Sequence, residues 1–482
     1  MSSPHVPGPA TAVRSRSAPW VTGPAAERMS QLEAAHQECT VEQVQHSVAA
    51  GLAAHHRELA AGLVLYAGTN VLSPAVESVV DHALSTRPAL GWPGAKVQTA
   101  VGSIEHLEVL AGGQVARAMR ARFAEVRFLT ATMANLAVYA ALTSPGDTIA
   151  VLSPEAGGHA SHQGPVGTAG LLGLRVEHLP YDRAALDVDH DRLPEFLRGV
   201  RPRLVMVGGS VTLFPHDVVR LRAAADEVGA AVVYDASHTA GLVAAGLFQD
   251  PLAEGAHVVT LSTYKTFGGP AGGAAVTDDA GLAQRIAEVA YPRLMSNYDP
   301  ARLGPLAVAA AEAREQQPAW ARATVQLAQR LAHELDRRDA NVFGLLPGAR
   351  PDGRSGSPAG SRATRTHQVV LDVSEVGGGA AVARHLEARG LFTGACRLPS
   401  QRPGDTAAGL RLGVQELVRR GMPIEAAPDL ADLIVLALDG TAPAVVTAGL
   451  HRVQEACAVD LWGRPGGGAV RDHRCSAAVD AR

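Results

Sequence analysis

The feature that most constrains the fold is a repeated alternation of short apolar runs with helix-like stretches through the middle of the chain. The apolar runs lie near 175–179, 204–207, 231–234, 257–261 and 274–277. Short runs of this kind are typical of strands buried on both faces, and a helix between two strands returns the chain to the same end of the sheet. The sequence therefore predicts an α/β protein whose large, mostly parallel sheet is covered by helices on both faces.

Lysine is nearly absent from the chain. Of its 43 lysines and arginines, only Lys96 and Lys265 are lysines. Lys265 lies in a turn rich in Ser, Thr and Gly that follows one apolar run, and Asp235 ends the run before it. A guanidinium cannot condense with an aldehyde, whereas a lysine amine can lose its proton and form an imine. The retained Lys265 therefore indicates chemistry that arginine cannot perform.

Pyridoxal phosphate requires such a lysine together with a carboxylate against its ring nitrogen, which keeps the ring an electron sink. Open α/β sheets bind their ligands at the carboxyl ends of strands, where both Lys265 and Asp235 are expected. The pair therefore predicts a pyridoxal phosphate site. The alternatives are that Lys265 is a solvated loop lysine and that Asp235 is a helix N-cap.

Composition limits the partners and the compartment. Of 482 residues, 47% are hydrophobic and 19% charged, and the net charge of −4 leaves no basic stripe for nucleic acid and no polybasic membrane patch. We find neither a signal-peptide core nor an apolar run long enough to span a bilayer. Cys39, Cys396, Cys457 and Cys475 lie far apart, without metal or disulfide spacing, as in a reducing compartment. We expect a cytoplasmic protein.

The chain length predicts a large domain, a smaller domain and loose ends. The predicted parts are a disordered arm (1–27), an N-terminal helical segment (28–60), a large domain (61–335), a small C-terminal α+β domain (336–462) and a disordered tail (463–482). A long helix from Leu303 to about Arg338 would link the two domains, and 347–366 would form a mobile loop.

A phosphate-binding position is predicted where an Ala-rich helix begins after Val126. Thr130, Ala131 and Thr132 stand at that helix start, where free amides and the helix dipole favour an anion. A threonine there is also an ordinary cap. His159 and His162, three residues apart, would either bind a metal or stack on a planar cofactor, and no further ligand at metal spacing follows them. We expect no metal.

At these residues the chain resembles the serine hydroxymethyltransferase family of fold-type I pyridoxal phosphate enzymes. The matching motifs are, in order, Leu72-Ser-Pro, Gly91-Trp-Pro-Gly, Asn135-Leu-Ala-Val-Tyr-Ala-Ala-Leu, Gly157-Gly-His-Ala-Ser-His, Asp235-Ala-Ser-His-Thr-Ala-Gly-Leu, Ser262-Thr-Tyr-Lys-Thr-Phe-Gly-Gly-Pro and Gly409-Leu-Arg-Leu-Gly. The segment 208–216, Tyr264 and Val414-Gln-Glu-Leu are more similar to the branch that acts on α-methylserine.

The resemblance implies a role for each matching residue. Lys265 would form the imine with the cofactor, Asp235 would contact the ring nitrogen, and His159 would stack on the ring. His238 would lie near the phenolic oxygen of the cofactor and the substrate carboxylate. Arg411 would bind that carboxylate as a bidentate fork, which lysine cannot reproduce. The alternative for Arg411 is an ordinary surface arginine.

The resemblance also implies further contacts and an assembly. The phosphate would be held by the helix start described above. In a homodimer or dimer of dimers, a glycine of the partner would also hold it. The further cofactor and substrate contacts implied are Thr130, Ala131, Thr132, Ser262 and Gly304 for the cofactor, and Asn70 for the substrate.

Two departures from the family bear on folate. Leu90 stands where the family carries a catalytic glutamate, and Val97 and Gln98 replace paired tyrosines, so dependence on tetrahydrofolate is in question. The turn that helps to bind substrate is changed to Gly68-Thr69-Asn70, which would loosen or enlarge the pocket.

Two functions follow as hypotheses. The first is a hydroxymethyltransferase that breaks or forms the Cα–Cβ bond of a serine- or α-methylserine-type amino acid with tetrahydrofolate. The second is a folate-independent, threonine-type aldolase or transaldolase that joins an amino-acid carbanion to a larger aldehyde. An aminotransferase, a decarboxylase or a non-catalytic cofactor-binding regulator is a weaker alternative.

Overall fold

The computed structural model describes residues 18–35, 39–345, 363–402 and 404–457. The helices of these residues are α1 Pro24–Ala34, α2 Val41–Ala61, α3 Pro74–Ser78, α4 Gly102–Ala118, α5 Ala131–Leu142, α6 Thr168–Leu171, α7 Leu193–Val200, α8 Val218–Asp226, α9 Ala240–Ala244, α10 Ala280–Glu288, α11 Leu303–Glu315, α12 Pro318–Asp336, α13 Gly379–Glu387, α14 Gln415–Arg419, α15 Ala427–Leu438 and α16 Pro443–Glu455.

The strands of the same residues are mostly short. They are β1 Leu63–Val64, β2 Gly91–Trp92, β3 Ala95–Lys96, β4 Phe123–Glu125, β5 Thr148–Val151, β6 Arg175–His178, β7 Tyr181–Asp182, β8 Asp187–Val188, β9 Leu204–Gly208, β10 Ala231–Asp235, β11 Val258–Ser262, β12 Gly273–Thr277, β13 Val342–Phe343, β14 Gln368–Asp372, β15 Leu391–Phe392, β16 Gly394–Cys396 and β17 Gly409–Gly413.

The described residues divide into two compact units, one comprising α1 and α2, through Ala61, and one that begins at Gly62. Throughout the described ranges every helix is too short or too polar to traverse a bilayer. The predicted boundary near residue 335 lies inside the second unit and stays a prediction.

A seven-stranded sheet in the order β4-β12-β11-β10-β9-β5-β6 forms the centre of the second unit. Only β12 runs against its neighbours β4 and β11, and the other adjacent pairs are parallel. Val232, Val233 and Tyr234 of β10 are fully buried, as the apolar run in the sequence predicts. The α/β class and the mostly parallel sheet are therefore confirmed.

A smaller antiparallel sheet, in the order β13-β14-β17-β16, lies in the C-terminal part of this unit. The sequence predicts strands over 367–373 and near 410–412, which are β14 and β17, but it predicts neither β13 nor β16. These two strands are two and three residues long, and β16 reads Gly-Ala-Cys, so neither carries an apolar run that the sequence alone would reveal.

Three predictions of local structure need correction. The single helix predicted from Leu303 to Arg338 is two helices, because Pro318 begins α12 and cannot continue the hydrogen-bonding of α11. The predicted disordered arm, 1–27, ends earlier than residue 27, since α1 already begins at Pro24 after Gly23. The sequence also predicts a long helix over about 103–122, and in the structure this helix, α4, ends at Ala118, ahead of β4.

The loop predicted over 347–366 lies partly outside the described residues, which resume at residue 363. Three of its four described residues are buried, and the segment is hydrogen-bonded: Arg365 N donates to Leu213 O at 2.7 Å, and Thr366 Oγ1 donates to Thr212 O at 2.7 Å. That end is therefore fixed rather than mobile. Residues 1–17 and the predicted tail, 463–482, lie outside the described residues.

Candidate active site

The carboxyl ends of neighbouring strands bring the predicted site residues together. Asp235 is the last residue of β10, and Lys265 follows the end of β11 by three residues. The Lys265 side chain is buried, and its Nζ lies 3.1 Å from His238 Nε2. These contacts exclude the alternative of a solvated loop lysine.

The amine of Lys265 lies in surroundings that favour its neutral form. Burial lowers the pKa of Lys265 to about 8; the Asp235 charge opposes this shift, and the Arg411 charge reinforces it. A desolvated ammonium loses its proton more easily because the charged form is penalised. Part of the Lys265 population is therefore a free amine, a nucleophile, near neutral pH.

His238 faces Lys265 as a neutral imidazole. Burial holds the pKa of His238 well below its usual range, and the charges of Lys265 and Arg411 act in the same direction. His367 stacks on His238 at 5.7 Å between ring centroids. His238 Nδ1 has no hydrogen-bond partner among the described residues, so this atom is open to a further contact.

Asp235 is held as a buried carboxylate by three donors. Its Oδ1 accepts from Ser237 N at 2.9 Å, and its Oδ2 accepts from Asn135 Nδ2 at 3.1 Å and bonds His162 Nε2 at 3.0 Å. Burial alone would raise the pKa of Asp235, but the hydrogen bond and charge of His162, with the Ser237 bond, hold it below its usual range. The carboxylate therefore stays ionised and fixed.

Sequence reasoning missed the role of Asn135 and His162 beside this carboxylate. The predicted alternatives for His162 were a metal or stacking on the cofactor, whereas its ring bonds Asp235 and is fully buried. Asn135 is a polar residue in an otherwise apolar, Ala-rich helix, and that isolated polarity was the only available signal.

His159 lies at the edge of the same cluster. Its Nδ1 accepts from Ser161 N at 3.1 Å and lies 2.8 Å from Ser161 Oγ, and its ring is 5.9 Å from that of His162. Burial lowers the pKa of His159, while the Asp235 charge opposes that shift. Stacking of His159 on a cofactor stays a prediction.

The predicted phosphate position is a helix start in the structure. Thr130 is the N-cap of α5, and its Oγ1 accepts from Met133 N at 3.1 Å. Gly273 lets β12 approach closely, since a Cβ there would lie 2.4 Å from the Thr130 carbonyl group. The first amides of α5, including those of Ala131 and Thr132, have no partner within the helix and can bind an anion.

Arg411 on β17 is buried, which excludes the alternative of a surface arginine. One guanidinium nitrogen, Nη1, donates to Ser210 O at 2.5 Å, and Nε has no hydrogen-bond partner among the described residues. Because its charge acts on both Lys265 and His238, it belongs to the same site. We call Asp235, His238, Lys265 and Arg411 the Lys265 cluster.

The remaining predicted residues lie at different distances from this cluster. Asn70 Nδ2 donates to the Lys265 carbonyl at 3.0 Å, so its amide already fixes the lysine backbone. Ser262 is the buried last residue of β11. Gly304 lies in the first turn of α11, where Val79 O is the nearest atom to an added Cβ, at 3.6 Å. Its predicted contact from a partner stays a prediction.

The residues present fit pyridoxal phosphate. Lys265 would supply the amine, ionised Asp235 would accept from a protonated ring nitrogen, and the start of α5 would hold the phosphate. His238 Nδ1 is a buried polar atom without a hydrogen-bond partner among the described residues, as expected of a site built for a polar ligand. Within the described ranges no three metal-ligating side chains lie together as a metal site.

Comparison with known proteins places the chain in a family. The serine hydroxymethyltransferase family profile matches residues 41–340. An alpha-methylserine aldolase of Variovorax paradoxus is 41% identical over 406 residues, which cover 82% of this chain and 89% of that protein. A serine hydroxymethyltransferase of Methanopyrus kandleri is 38% identical over 391 residues, covering 81% and 88%. A serine hydroxymethyltransferase of Pyrococcus furiosus is 35% identical over 378 residues, which cover 77% of this chain and 85% of that protein.

The family resemblance that the motifs around Asp235 and Lys265 indicated is thereby confirmed. The chain belongs to the serine hydroxymethyltransferase family and is an enzyme that depends on pyridoxal phosphate.

Proposed function

We propose that this enzyme cleaves and forms the Cα–Cβ bond of a small β-hydroxy amino acid of the α-methylserine type and releases the aldehyde without tetrahydrofolate. One observation carries the chemistry. In a single buried cluster, an amine with a pKa of about 8 lies near an ionised carboxylate and an arginine whose Nε has no hydrogen-bond partner among the described residues. That set can bind an aldehyde cofactor and a substrate carboxylate together.

Each residue of the cluster has a distinct part in this proposal. Arg411 binds the substrate carboxylate, and because the carboxylate is fixed, the Cα–Cβ bond is presented for cleavage. Asp235 keeps the cofactor ring nitrogen protonated. Lys265 holds the cofactor between turnovers, and its Nζ can exchange a proton with His238 Nε2 across 3.1 Å.

Bound pyridoxal phosphate supplies an electron sink that stabilises negative charge at the substrate Cα. With α-methylserine, the hydroxyl loses its proton, the Cα–Cβ bond breaks and formaldehyde leaves. The Cα then takes up one proton, which gives alanine, so atoms and charges balance without any oxidant or reductant. The Variovorax relative bears the name alpha-methylserine aldolase, which supports this substrate class.

Leu90 supports independence from folate. It stands where the resemblance expects a glutamate that handles protons in the folate-dependent reaction, and an alkyl side chain cannot transfer a proton. The backbone of Leu90 is held in place: Leu90 N donates to Gln98 Oε1 at 2.8 Å, and Val97 N donates to Leu90 O at 3.0 Å. These hydrogen bonds fix the segment from residue 90 to residue 98.

The second candidate is transfer of a one-carbon unit between tetrahydrofolate and a small amino acid. The family profile and the relatives named serine hydroxymethyltransferase support it. We further propose that the enzyme acts in the cytoplasm as a homodimer, as the sequence and the resemblance predict; the molar mass of the purified enzyme tests the dimer.

Formaldehyde and alanine should be measured after the purified enzyme is incubated with α-methylserine, with and without tetrahydrofolate. We expect both products at equal rates in the two conditions. Products that appear only with tetrahydrofolate would favour the second candidate. A keto acid or CO2 in place of formaldehyde would contradict both candidates.

A further inference from the structure

Tyr66 lies against the buried arginine of the site, although the sequence assigned it no role. It follows β1, and its side chain is 40% exposed, unlike the buried Arg411. The guanidinium carbon of Arg411 lies 5.8 Å from the centre of the Tyr66 ring. Tyr66 also acts electrostatically on Tyr264, the residue before Lys265, so the ring lies at the edge of the Lys265 cluster.

Two glycines leave room for this ring on its opposite edges. A Cβ built on Gly68 would lie 2.9 Å from Tyr66 Cε1, and a Cβ built on Gly394 would lie 2.7 Å from Tyr66 Cε2. In both cases the three nearest atoms to that Cβ belong to the Tyr66 ring. Neither position admits a side chain while the ring stays in place.

The ring is also tied to the strand that carries the arginine. Gly394 of β16 is the direct cross-strand neighbour of Arg411 on β17. Gln415 Nε2 donates to Tyr66 O at 2.9 Å and to Thr69 O at 2.7 Å, which fixes the backbone on either side of Gly68. Ring, glycines and guanidinium therefore form one rigid arrangement.

We propose that Tyr66 is a positioning residue that holds the Arg411 guanidinium in the orientation that binds the substrate carboxylate. This proposal rests on the proposed function, in which Arg411 binds that carboxylate. The bond to Ser210 O anchors Nη1, and the aromatic face fixes the plane of the guanidinium. A guanidinium fixed before binding loses less freedom when the carboxylate arrives, so affinity rises.

The matched ligands for the test are alanine and 2-aminopropan-1-ol, which has a hydroxymethyl group in place of the carboxylate. Their affinities for the loaded enzyme can be measured from the change in cofactor absorbance. Tyr66→Ala should weaken alanine binding about 3- to 30-fold, the range of a cation–π contact. It should change the affinity for the amino alcohol by no more than about twofold, since that ligand has no carboxylate to bind to Arg411.

Two further variants separate the ring from other effects at this position. Tyr66→Phe keeps the aromatic face and should restore alanine binding to within about twofold of the original enzyme. Gly394→Ala should weaken alanine binding as Tyr66→Ala does, because the added methyl group displaces the ring. In the double variant Tyr66→Ala/Gly394→Ala, the second change should add nothing, since no ring is left to displace.

Arg411→Lys distinguishes failure of this proposal from failure of the proposed function. If Arg411→Lys weakens alanine but not the amino alcohol, while Tyr66→Ala and Gly394→Ala weaken both ligands alike or neither, the positioning role of Tyr66 is wrong and the role of Arg411 stands. If Arg411→Lys affects both ligands equally, the carboxylate role of Arg411 is wrong, and the positioning role falls with it.

Discussion

The two lysines of this chain are both buried, yet their surroundings differ. Lys96 Nζ donates to Glu108 Oε2 at 2.5 Å, to Gly91 O at 2.7 Å and to Ala89 O at 3.0 Å. Lys265 makes no ion pair among the described residues, and its Nζ faces the neutral His238. One ammonium has a partner for each of its protons, and the other lies beside two uncharged rings, those of His238 and Tyr264.

The difference arises from how each nearby carboxylate is used. Glu108 Oε2 pairs with Lys96 while also accepting from Tyr298 Oη at 3.0 Å. Asp235 instead bonds Ser237, Asn135 and His162 and does not pair with Lys265. Asp235 thus acts on Lys265 through its negative charge, without forming an ion pair with it. Burial of a lysine is therefore not enough to make it reactive. The amine must also be left without an ion-pair partner.

The largest expected effect comes from exchanging each lysine for arginine. Lys265→Arg keeps the charge but cannot form an imine, so activity should fall by at least about 10²- to 10⁴-fold and the absorbance band of lysine-bound cofactor should disappear. Lys96→Arg is the matched control and should keep the band. A Lys265→Arg enzyme with an unchanged spectrum and rate would remove the distinction between the two lysines.

The next effect concerns stability rather than chemistry. The Lys96 and Glu108 side chains are only 2% and 10% exposed, so Lys96→Met removes the nearer cation of a buried carboxylate and leaves Arg127 Nη1 at 3.7 Å from Glu108 Oε1. We expect a loss of about 1.5–3 kcal/mol in the free energy of unfolding, measured with denaturant, because a charged hydrogen bond is lost while Arg127 stays near the carboxylate. Lys96→Met/Glu108→Gln should recover part of this loss. If Lys96→Met is as stable as the original protein, the pair has no structural role.

The carboxylate near Lys265 provides a smaller test. His162→Leu removes a donor to Asp235, whose pKa should rise because the His162 bond and charge hold it low. Cofactor affinity should fall by about 10- to 100-fold, as expected for a lost hydrogen bond to a charged group. His190→Leu is the control, since it removes a buried contact to Asp187, at 3.3 Å, outside the cluster. Equal losses in both variants would contradict the role of His162.

The smallest effect is a shift along the pH axis. The pKa of Lys265 is lowered from 10.5 to about 8, so the fraction of free amine grows as pH rises through 8. The rate at which the cofactor-free protein binds pyridoxal phosphate should rise over the same range and level off above it. Arg411→Gln removes a charge that lowers this pKa, so its profile should move to higher pH. A profile that does not move would contradict the electrostatic coupling.

Residues with local signals were predictable from the sequence. Asp235 ends an apolar run and Lys265 follows the next one, and the scarcity of lysine made Lys265 conspicuous. The strand alternation predicted the sheet because each strand is buried on both faces and reads as one apolar run. Arg411 became a candidate through its motif, although its burial could not be read from the sequence.

The missed features depend on contacts between distant parts of the chain. His162 and Asn135 meet at Asp235 only after three elements pack together. The Tyr66 ring has room only because residue 394 is a glycine, and this glycine lies on a strand too short to predict. Local propensity carries no information about such contacts, because the partner residue lies far away in sequence.

The most direct measurement is reductive trapping of the cofactor. The enzyme, loaded with pyridoxal phosphate, is treated with borohydride, which makes an imine permanent, and the labelled peptide is identified by mass spectrometry. Because the chain has only two lysines, the outcome is a choice between them and the amino terminus. We predict one label for each chain, on Lys265. A label on Lys96 or on the amino terminus, with Lys265 unmodified, would contradict the account.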